Sequence, residues 1–258
     1  MRLDKYLTEM GLVSSREKAQ AVIMAGQVLV NGRVIDKPSY KLKGDEKVEV
    51  RGLPKYVSRG GEKLEWAIKK FNLDLKGKIA LDVGSSTGGF TDCMLKHGVQ
   101  KVYAVDVGRG QMDYKLRHDP RVILYEETDA RKLTNRHIPE KVDIITCDVS
   151  FISSTKVLPS VSPFIKEEGF LLVLVKPQFE LCPRKVKKGI VREIEHKREA
   201  LEKVINFLKN EGFKILGITK ARPRGTKGNE EFFVLASKRG SEINIEEAVN
   251  RALKEEVN

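Results

Sequence analysis

The chain has 258 residues, and 48 Lys and Arg against 36 Asp and Glu leave a formal net charge of +12. Hydrophobic residues make up 40% of it, enough apolar material for a core, which argues against full disorder. The longest apolar run, Phe170 to Val175, is far short of the roughly 20 residues a membrane helix needs, which excludes an integral membrane protein. A chain this long is expected to be one medium domain plus something small. Its charge biases it toward a polyanion: RNA, DNA or an anionic membrane surface. The opening Met-Arg-Leu-Asp-Lys-Tyr has no apolar stretch and no small-residue cleavage site, so a cytoplasmic protein without a secretory signal is expected. Cys93, Cys147 and Cys182 are too few for a disulfide framework and have no metal-ligand spacing, so no metal is expected.

In chain order, Leu3, Tyr6, Leu7 and Met10 follow the helical period, and Gly11 can end that helix. Ser14 or Ser15 caps a second helix with the apolar stripe Ala19, Val22 and Ile23, stopped by Gly26. Val28-Leu29-Val30, Asn31-Gly32 and Arg33-Val34-Ile35 read as a hairpin. Lys47 to Val50 alternates like an edge strand. These residues resemble the S4 RNA-binding domain: Arg2-Leu3-Asp4-x-x-Leu7, Gly11-Leu12, Ser15-Arg16, Gly26, Val28-x-Val30-Asn31-Gly32, Lys37-Pro38 and Gly44-Asp45. The resemblance implies a small α+β module that binds structured RNA by shape and phosphate contacts. Arg2, Lys5, Ser15, Arg16, Lys18 and Lys37 are the candidate contacts.

Residues 1–50 are assigned to this module, and 51–61 to a linker, because Gly52, Pro54, Gly60 and Gly61 disfavour regular structure. The larger domain, 62–240, alternates strand and helix. Strands are expected at Ile79–Val83, Lys101–Asp106, Val122–Tyr125, Val142–Asp148, Gly169–Lys176, Phe213–Ile218 and Glu231–Ala236, with helices at Phe90–His97 and Glu195–Asn210. Such alternation implies a mostly parallel sheet covered on both faces. The last two runs have no helix between them, which makes the final strand antiparallel. The pattern is that of a class I (Rossmann-like) methyltransferase with seven strands. Residues 241–258 are expected to form a C-terminal helix, with Asn244 and Glu247 spaced as a capping box.

The turn Asp82-Val83-Gly84-Ser85-Ser86-Thr87-Gly88-Gly89-Phe90 lies between first strand and first helix, where open α/β sheets bind ligands. It is neither G-x-G-x-x-G nor a P-loop, which disfavours NAD and ATP. Asp106, at the end of the second strand, can accept both ribose hydroxyls of a nucleoside, and Asp129, after the third, can meet an adenine amino group. A Gly-rich turn with two strand-end acids describes an S-adenosylmethionine site. The expected cofactor-binding set is Asp82, Gly84, Ser85, Ser86, Thr87, Gly88, Gly89, Phe90, Asp106, Val107, Asp129, Ala130 and Asp148.

Asp148 and Lys176 end the fourth and fifth strands at the same edge, and Lys63 starts the domain's first helix. With Glu231 these residues resemble the Lys-Asp-Lys-Glu tetrad of FtsJ-like RNA ribose 2′-O-methyltransferases. More closely, the chain resembles the TlyA-type family, rRNA methyltransferases historically called hemolysins. The carriers are Tyr56 to Leu64, Asp82 to Asp92, Cys147-Asp148-Val149-Ser150-Phe151-Ile152-Ser153, Val175-Lys176-Pro177-Gln178-Phe179-Glu180 and Gly228 to Phe233. The resemblance implies methyl transfer from S-adenosylmethionine to a ribose 2′-hydroxyl of rRNA, with a cytidine of the large subunit suggested and the small subunit also open. Lys176 is then the base, and Lys63, Asp148 and Glu231 complete the catalytic set. Adjacent strand residues face opposite sides, so only one of Glu230 and Glu231 can serve; the family pattern selects Glu231. Arg59, the cluster Arg184, Lys185, Lys187 and Lys188, and the cluster Lys220, Arg222, Arg224 and Lys227 are expected to meet RNA phosphates around the pocket mouth. The expected partner is rRNA or a ribosomal subunit, with no membrane and no obligate protein partner. The rival readings are a non-catalytic RNA-binding protein and a membrane-active hemolysin.

Overall fold

A computed structural model describes residues 1–13, 15–52, 54–225 and 228–255. Ser14, weighed above as a cap, and Lys227 lie outside the described residues. The chain divides into two compact units, Met1–Lys55 with Asp113–Lys115, and Tyr56–Met112 with Leu116 onward.

The first unit holds α1 (Leu3–Glu9), α2 (Arg16–Met24), β1 (Val28–Val30), β2 (Arg33–Ile35) and β3 (Val48–Val50). Ser15 caps α2, its hydroxyl accepting from the Lys18 N–H at 3.2 Å. Asn31 and Gly32 turn the hairpin with φ of 49° and 79°, the two positive values that a type I′ turn requires. β1 is central, antiparallel to β2 and β3, so β3 is an edge strand as expected. Leu3, Leu7, Ala19, Ile23, Val28 and Val30 form the core. Met10 departs from its expected apolar stripe and is 61% exposed, because α1 ends at Glu9 and Met10 is its C-cap.

Asp4 is fully buried in this unit. Arg2 donates to it from Nε and a terminal nitrogen, both at 2.9 Å, Arg16 Nε at 3.1 Å and Gln20 at 3.3 Å. Two expected phosphate contacts, Arg2 and Arg16, are therefore engaged with a buried carboxylate. The Arg2 hydrogen bond, against the opposing effect of burial, holds the Asp4 carboxyl well below the usual carboxylate range. A depressed folded-state pKa contributes stability that is present above about pH 4 and is lost as pH falls further. Asp4→Asn is expected to lower the unfolding free energy of this unit by about 2–3 kcal/mol at neutral pH and to flatten its acid sensitivity. Urea melts of the full chain at pH 7 and pH 3.5, followed by a probe in this unit, check both.

The second unit begins with α3 (Arg59–Phe71), inside the expected linker. Ser58 caps it by accepting from the Gly60 N–H at 3.3 Å, and Gly60 and Gly61 lie in its first turn. A Cβ on Gly61 would sit 2.3 Å from Tyr56 Cγ. Glycine serves close packing there rather than chain breaking. β4 (Ile79–Val83), α4 (Gly89–Lys96), β5 (Lys101–Val105), α5 (Tyr114–Arg117, its first two residues counted with the first unit), β6 (Val122–Tyr125), β7 (Val142–Cys147), α6 (Leu158–Val161) and β8 (Ile165–Val175) follow. α7 (Pro177–Glu180), α8 (Ile194–Asn210), β9 (Lys214–Lys220), β10 (Phe232–Ser237) and α9 (Ile245–Lys254) complete the unit. β8 starts four residues earlier than expected because Ile165 pairs with Val142 before an irregularity restores the register at Ile144 and Phe170.

The seven strands run in the order β6-β5-β4-β7-β8-β10-β9. All pairs from β6 to β8 are parallel, and β10 is antiparallel to both neighbours. Strand alternation sends Leu81, Val83, Ile145 and Cys147 to one face with Leu201, Val204 and Ala248, and Ala80, Val102 and Ile144 to the other with Leu64, Cys93 and Met94. The C-terminal helix is no appendage: Ala248, Val249, Ala252 and Leu253 of α9 are part of the first core. Asn244 caps it, accepting from the Glu247 N–H at 3.2 Å. Chain order reverses at β4, with β5 on one side and β7 on the other. This is the switch point where open α/β sheets leave a crevice at the carboxyl edge.

Candidate active site

Two loops meet at that crevice, one after β4 and one after β7. Gly84 has φ of 84°, and a Cβ on it would lie 2.5 Å from the Asp148 carbonyl oxygen. No side chain fits between them. The Ser86 N–H donates to Asp106 Oδ2 at 2.8 Å and the Gly108 N–H to Oδ1 at 2.7 Å. Asp106 thus ties the Gly-rich turn to the end of β5. Gly88 is the N-cap of α4 with φ of 90°, and its Cβ would lie 2.3 Å from Leu116.

Three cavities share these walls. The first, about 490 Å³, is lined by Gly84, Ser86, Asp106, Val107, Asp129, Ala130 and Asp148, joined by Gln111, Arg131, Ser150 and Phe151. The second, about 220 Å³, is lined by Ser58, Arg59, Lys63, Ser85, Ser86, Thr87, Gly89, Phe90 and Asp148. The third, about 360 Å³, is lined by Ser150, Phe151, Lys176, Gln178, Phe179, Asn229 and Glu231. Asp148 borders the first two, and Ser150 and Phe151 border the first and third.

The four expected catalytic residues form two ion pairs. Lys176 Nζ lies 2.6 Å from Asp148 Oδ1 and donates a hydrogen bond to Ser150 Oγ at 2.9 Å. Lys63 Nζ donates to Glu231 Oε2 at 2.6 Å. Glu231 is 3% exposed, and a Cβ on Gly225 would lie 2.2 Å from its Oε1. Glu230 turns the other way, to Lys197 at 2.7 Å, Lys220 at 3.3 Å and Arg224 at 3.6 Å. Glu180 is buried and accepts from the Ser154 N–H at 2.8 Å, from the Ser154 hydroxyl at 2.7 Å and from Ser153. It fastens the loop after β7 to the segment that follows Lys176.

Not every expected site residue faces a cavity. Asp82 lies beneath the turn, fully buried, with Thr91 and Thr146 hydroxyls donating to its two oxygens at 2.7 and 2.8 Å. Both carboxylate oxygens are occupied inside the fold, so it is not a wall of the ligand crevice. Gly88 likewise shapes the turn and lines none of these three cavities. Asp129 lines the first cavity, but it also caps a short 3₁₀ turn and is gripped by Arg131 at 2.7–3.1 Å. That hydrogen bonding holds its carboxyl down at about 2.

Of the basic residues, Arg59 lines the second cavity. Lys185 pairs with Glu199, Lys187 with Glu193 at 3.7 Å and Arg224 with Glu230 at 3.6 Å. Lys220 is buried and also approaches Glu230. Arg222 stacks on Trp66 with its guanidinium 4.6 Å from the ring centroid. Arg184 and Lys188 are exposed, as are Lys18 and Lys37 in the first unit, while Lys5 pairs with Glu9 at 3.4 Å. None of the described members of the two clusters lines the three cavities, since acidic side chains of α8, of the segment before it and of the strand end hold several of them. Gln111 and Arg131 are not singled out by any local pattern in the sequence, and Gln178 is visible only as part of the motif that begins at Val175. Ser150 was visible only as part of the motif that begins at Cys147.

The fold and this site define the class of protein: the chain belongs to the FtsJ-like methyltransferase family, which matches residues 56–238, with an S4 domain matching 1–48. Hemolysin A of Brachyspira hyodysenteriae is 43% identical over 90% of this chain and 98% of that protein. The 16S/23S rRNA (cytidine-2'-O)-methyltransferase TlyA of Mycobacterium tuberculosis is 35% identical over 98% of this chain and 97% of that protein. A solved structure from Streptococcus thermophilus that carries a hemolysin name is 38% identical, covers 98% of this chain and 96% of its own, and superposes with a TM-score of 0.73.

Burial, partly offset by the two threonine hydroxyls, pushes the Asp82 carboxyl up to about 6. The folded state then binds this proton more tightly than the unfolded chain, so the group lowers stability progressively as pH rises from about 4 to 6. Asp82→Asn, whose amide can donate to one threonine hydroxyl and accept from the other, is expected to remove that slope. It should leave the unit as stable as wild type, or up to about 3 kcal/mol more stable, at pH 7. Denaturant midpoints across pH 4–7 measure it.

Proposed function

We propose that this chain transfers a methyl group from S-adenosylmethionine to a ribose 2′-hydroxyl of ribosomal RNA. The observation that carries the reading is the Lys176–Asp148 pair at 2.6 Å, on the loop that touches Gly84 of the Gly-rich turn. The crevice suits a nucleoside cofactor. Gly84 allows an approach that a side chain would block. Asp106 spends one lone pair of each oxygen on backbone N–H groups and keeps capacity for ribose hydroxyls. Ser85 Oγ is buried without a hydrogen-bond partner beside the second cavity, near Arg59 and Lys63, which fit a carboxylate. When bound, the cofactor supplies an electrophilic methyl on a sulfonium.

A ribose hydroxyl is a poor nucleophile until a base removes its proton as the new bond forms. Lys176 takes that proton at Nζ, entering the step as the free amine. Asp148 holds the lysine at the loop junction, and Glu231 cancels the charge of Lys63 at the opposite wall. The third cavity, next to Lys176 and Glu231, receives the target nucleoside, with Phe151 and Phe179 (ring centroids 5.0 Å apart) as its apolar walls. Much of the remaining rate comes from holding the reactants in line. The substrate follows from the relatives: a cytidine of large-subunit rRNA, with small-subunit rRNA as a second target. The S4-type unit supplies RNA affinity. No helix of the described residues is long and apolar enough to cross a membrane, and a cytoplasmic site of action fits an rRNA partner.

Lys176→Ala is expected to keep S-adenosylmethionine affinity, read by calorimetry, and to lose about 10²- to 10⁴-fold in methyl transfer; near-normal turnover refutes the base assignment. Binding of rRNA is expected to weaken about tenfold or more between 50 and 200 mM salt through counterion release. A flat salt response in filter binding counts against a phosphate-dominated interface.

A further inference from the structure

We infer that Ser150 sets the direction in which Lys176 presents its lone pair, making it a positioning residue for the proton transfer. This rests on the reading of Lys176 as the base. The amine has two neighbours of different kinds. Ser150 Oγ accepts a directed hydrogen bond from Nζ at 2.9 Å. Asp148 Oδ1 is nearer, at 2.6 Å, yet this oxygen accepts no aligned hydrogen bond among the described residues. The carboxylate attracts the amine's positive end without fixing rotation about the last side-chain bond. The serine fixes it.

A protonated lysine carries three N–H bonds in tetrahedral directions. One points at Ser150 Oγ, and a second is drawn to the Asp148 side by its negative charge. The third is left to face the cavity bounded by Phe151, Gln178, Phe179 and Glu231, with the Phe179 ring centroid 5.9 Å from Nζ. Its proton is the one that leaves to solvent, so the free amine's lone pair is left facing the space where the ribose hydroxyl must come. Without Ser150 the amine can rotate, and the charge of Asp148 alone does not hold the lone pair on the reactive side. Ser150 is itself well placed for this task. It lies two residues after Asp148, on the loop that Glu180 fastens to the Lys176 segment through Ser154.

The test compares Ser150→Ala, Ser150→Thr and Lys176→Ala in the full chain. Single-turnover methyl transfer is measured on rRNA extracted from cells lacking the protein, alongside calorimetry with S-adenosylmethionine and RNA filter binding. Ser150→Ala is expected to lower the transfer rate about tenfold or more, with both affinities within about twofold of wild type. Ser150→Thr, which retains the hydroxyl, is expected to stay within about threefold of the wild-type rate. A wild-type rate in Ser150→Ala overturns the proposal. So does a rate loss matched by an equal loss of affinity, or one that threonine does not recover, since either marks a merely structural role. Full activity in Lys176→Ala removes the base assignment itself. A dead Lys176→Ala beside a fully active Ser150→Ala removes only the role of Ser150.

Discussion

The site depends on a steric constraint between two backbones. At the switch point of the sheet, the turn after β4 and the loop after β7 come so close that a Cβ on Gly84 would lie 2.5 Å from the Asp148 carbonyl. That approach joins a ligand crevice on one side to a charged pair on the other. The fold offers it because β4 and β7 are hydrogen-bonded neighbours whose connections leave in opposite directions across the sheet. Asp106, Glu180 and Gly225 act in support, each fixing a loop at the carboxyl edge.

Charge in the site is arranged as local neutrality rather than as a single field. Lys176 is matched to Asp148 and Lys63 to Glu231, both within 2.6 Å, and Glu231 is almost wholly buried. A buried carboxylate without its lysine would be strongly unfavourable, so the two pairs stabilise the pocket. The same economy governs the basic residues outside. Many of the 48 Lys and Arg are engaged in ion pairs, while others, such as Arg184 and Lys188, are exposed.

Two other buried carboxylates show how the partners decide the outcome. Asp4 meets guanidinium groups and is held ionised; Asp82 is met by two threonine hydroxyls, and burial pushes it toward its neutral form. The dominant partner of Asp4, Arg2, lies two residues away, whereas the partners of Asp82 come from farther along the chain. The fold adds Arg16 and Gln20 to Arg2 for one, and supplies only the hydroxyl-bearing side chains of Thr91 and Thr146 for the other.

Features governed by neighbours a few residues apart were legible in the chain itself. The Asn31-Gly32 hairpin, the Ser15 and Asn244 caps, the seven strands and the Gly-rich turn follow from φ preference, local hydrogen bonding and periodicity. The expected catalytic set was legible through its motifs, and the structure gathers Lys63, Asp148, Lys176 and Glu231 around adjoining cavities. Long-range contact decided the rest. Gly61 sits in the first turn of a helix where Tyr56 packs against it, and α9 joins the core because β9 and α8 leave an apolar seat for it. Asp82 is withdrawn from the crevice by two threonines, Asp129 is shared with Arg131, and Ser150 gains a role only because Lys176 arrives beside it from another strand. Such partners are distant in sequence, and their pairing is set by the burial of the whole sheet rather than by any property of the residues alone.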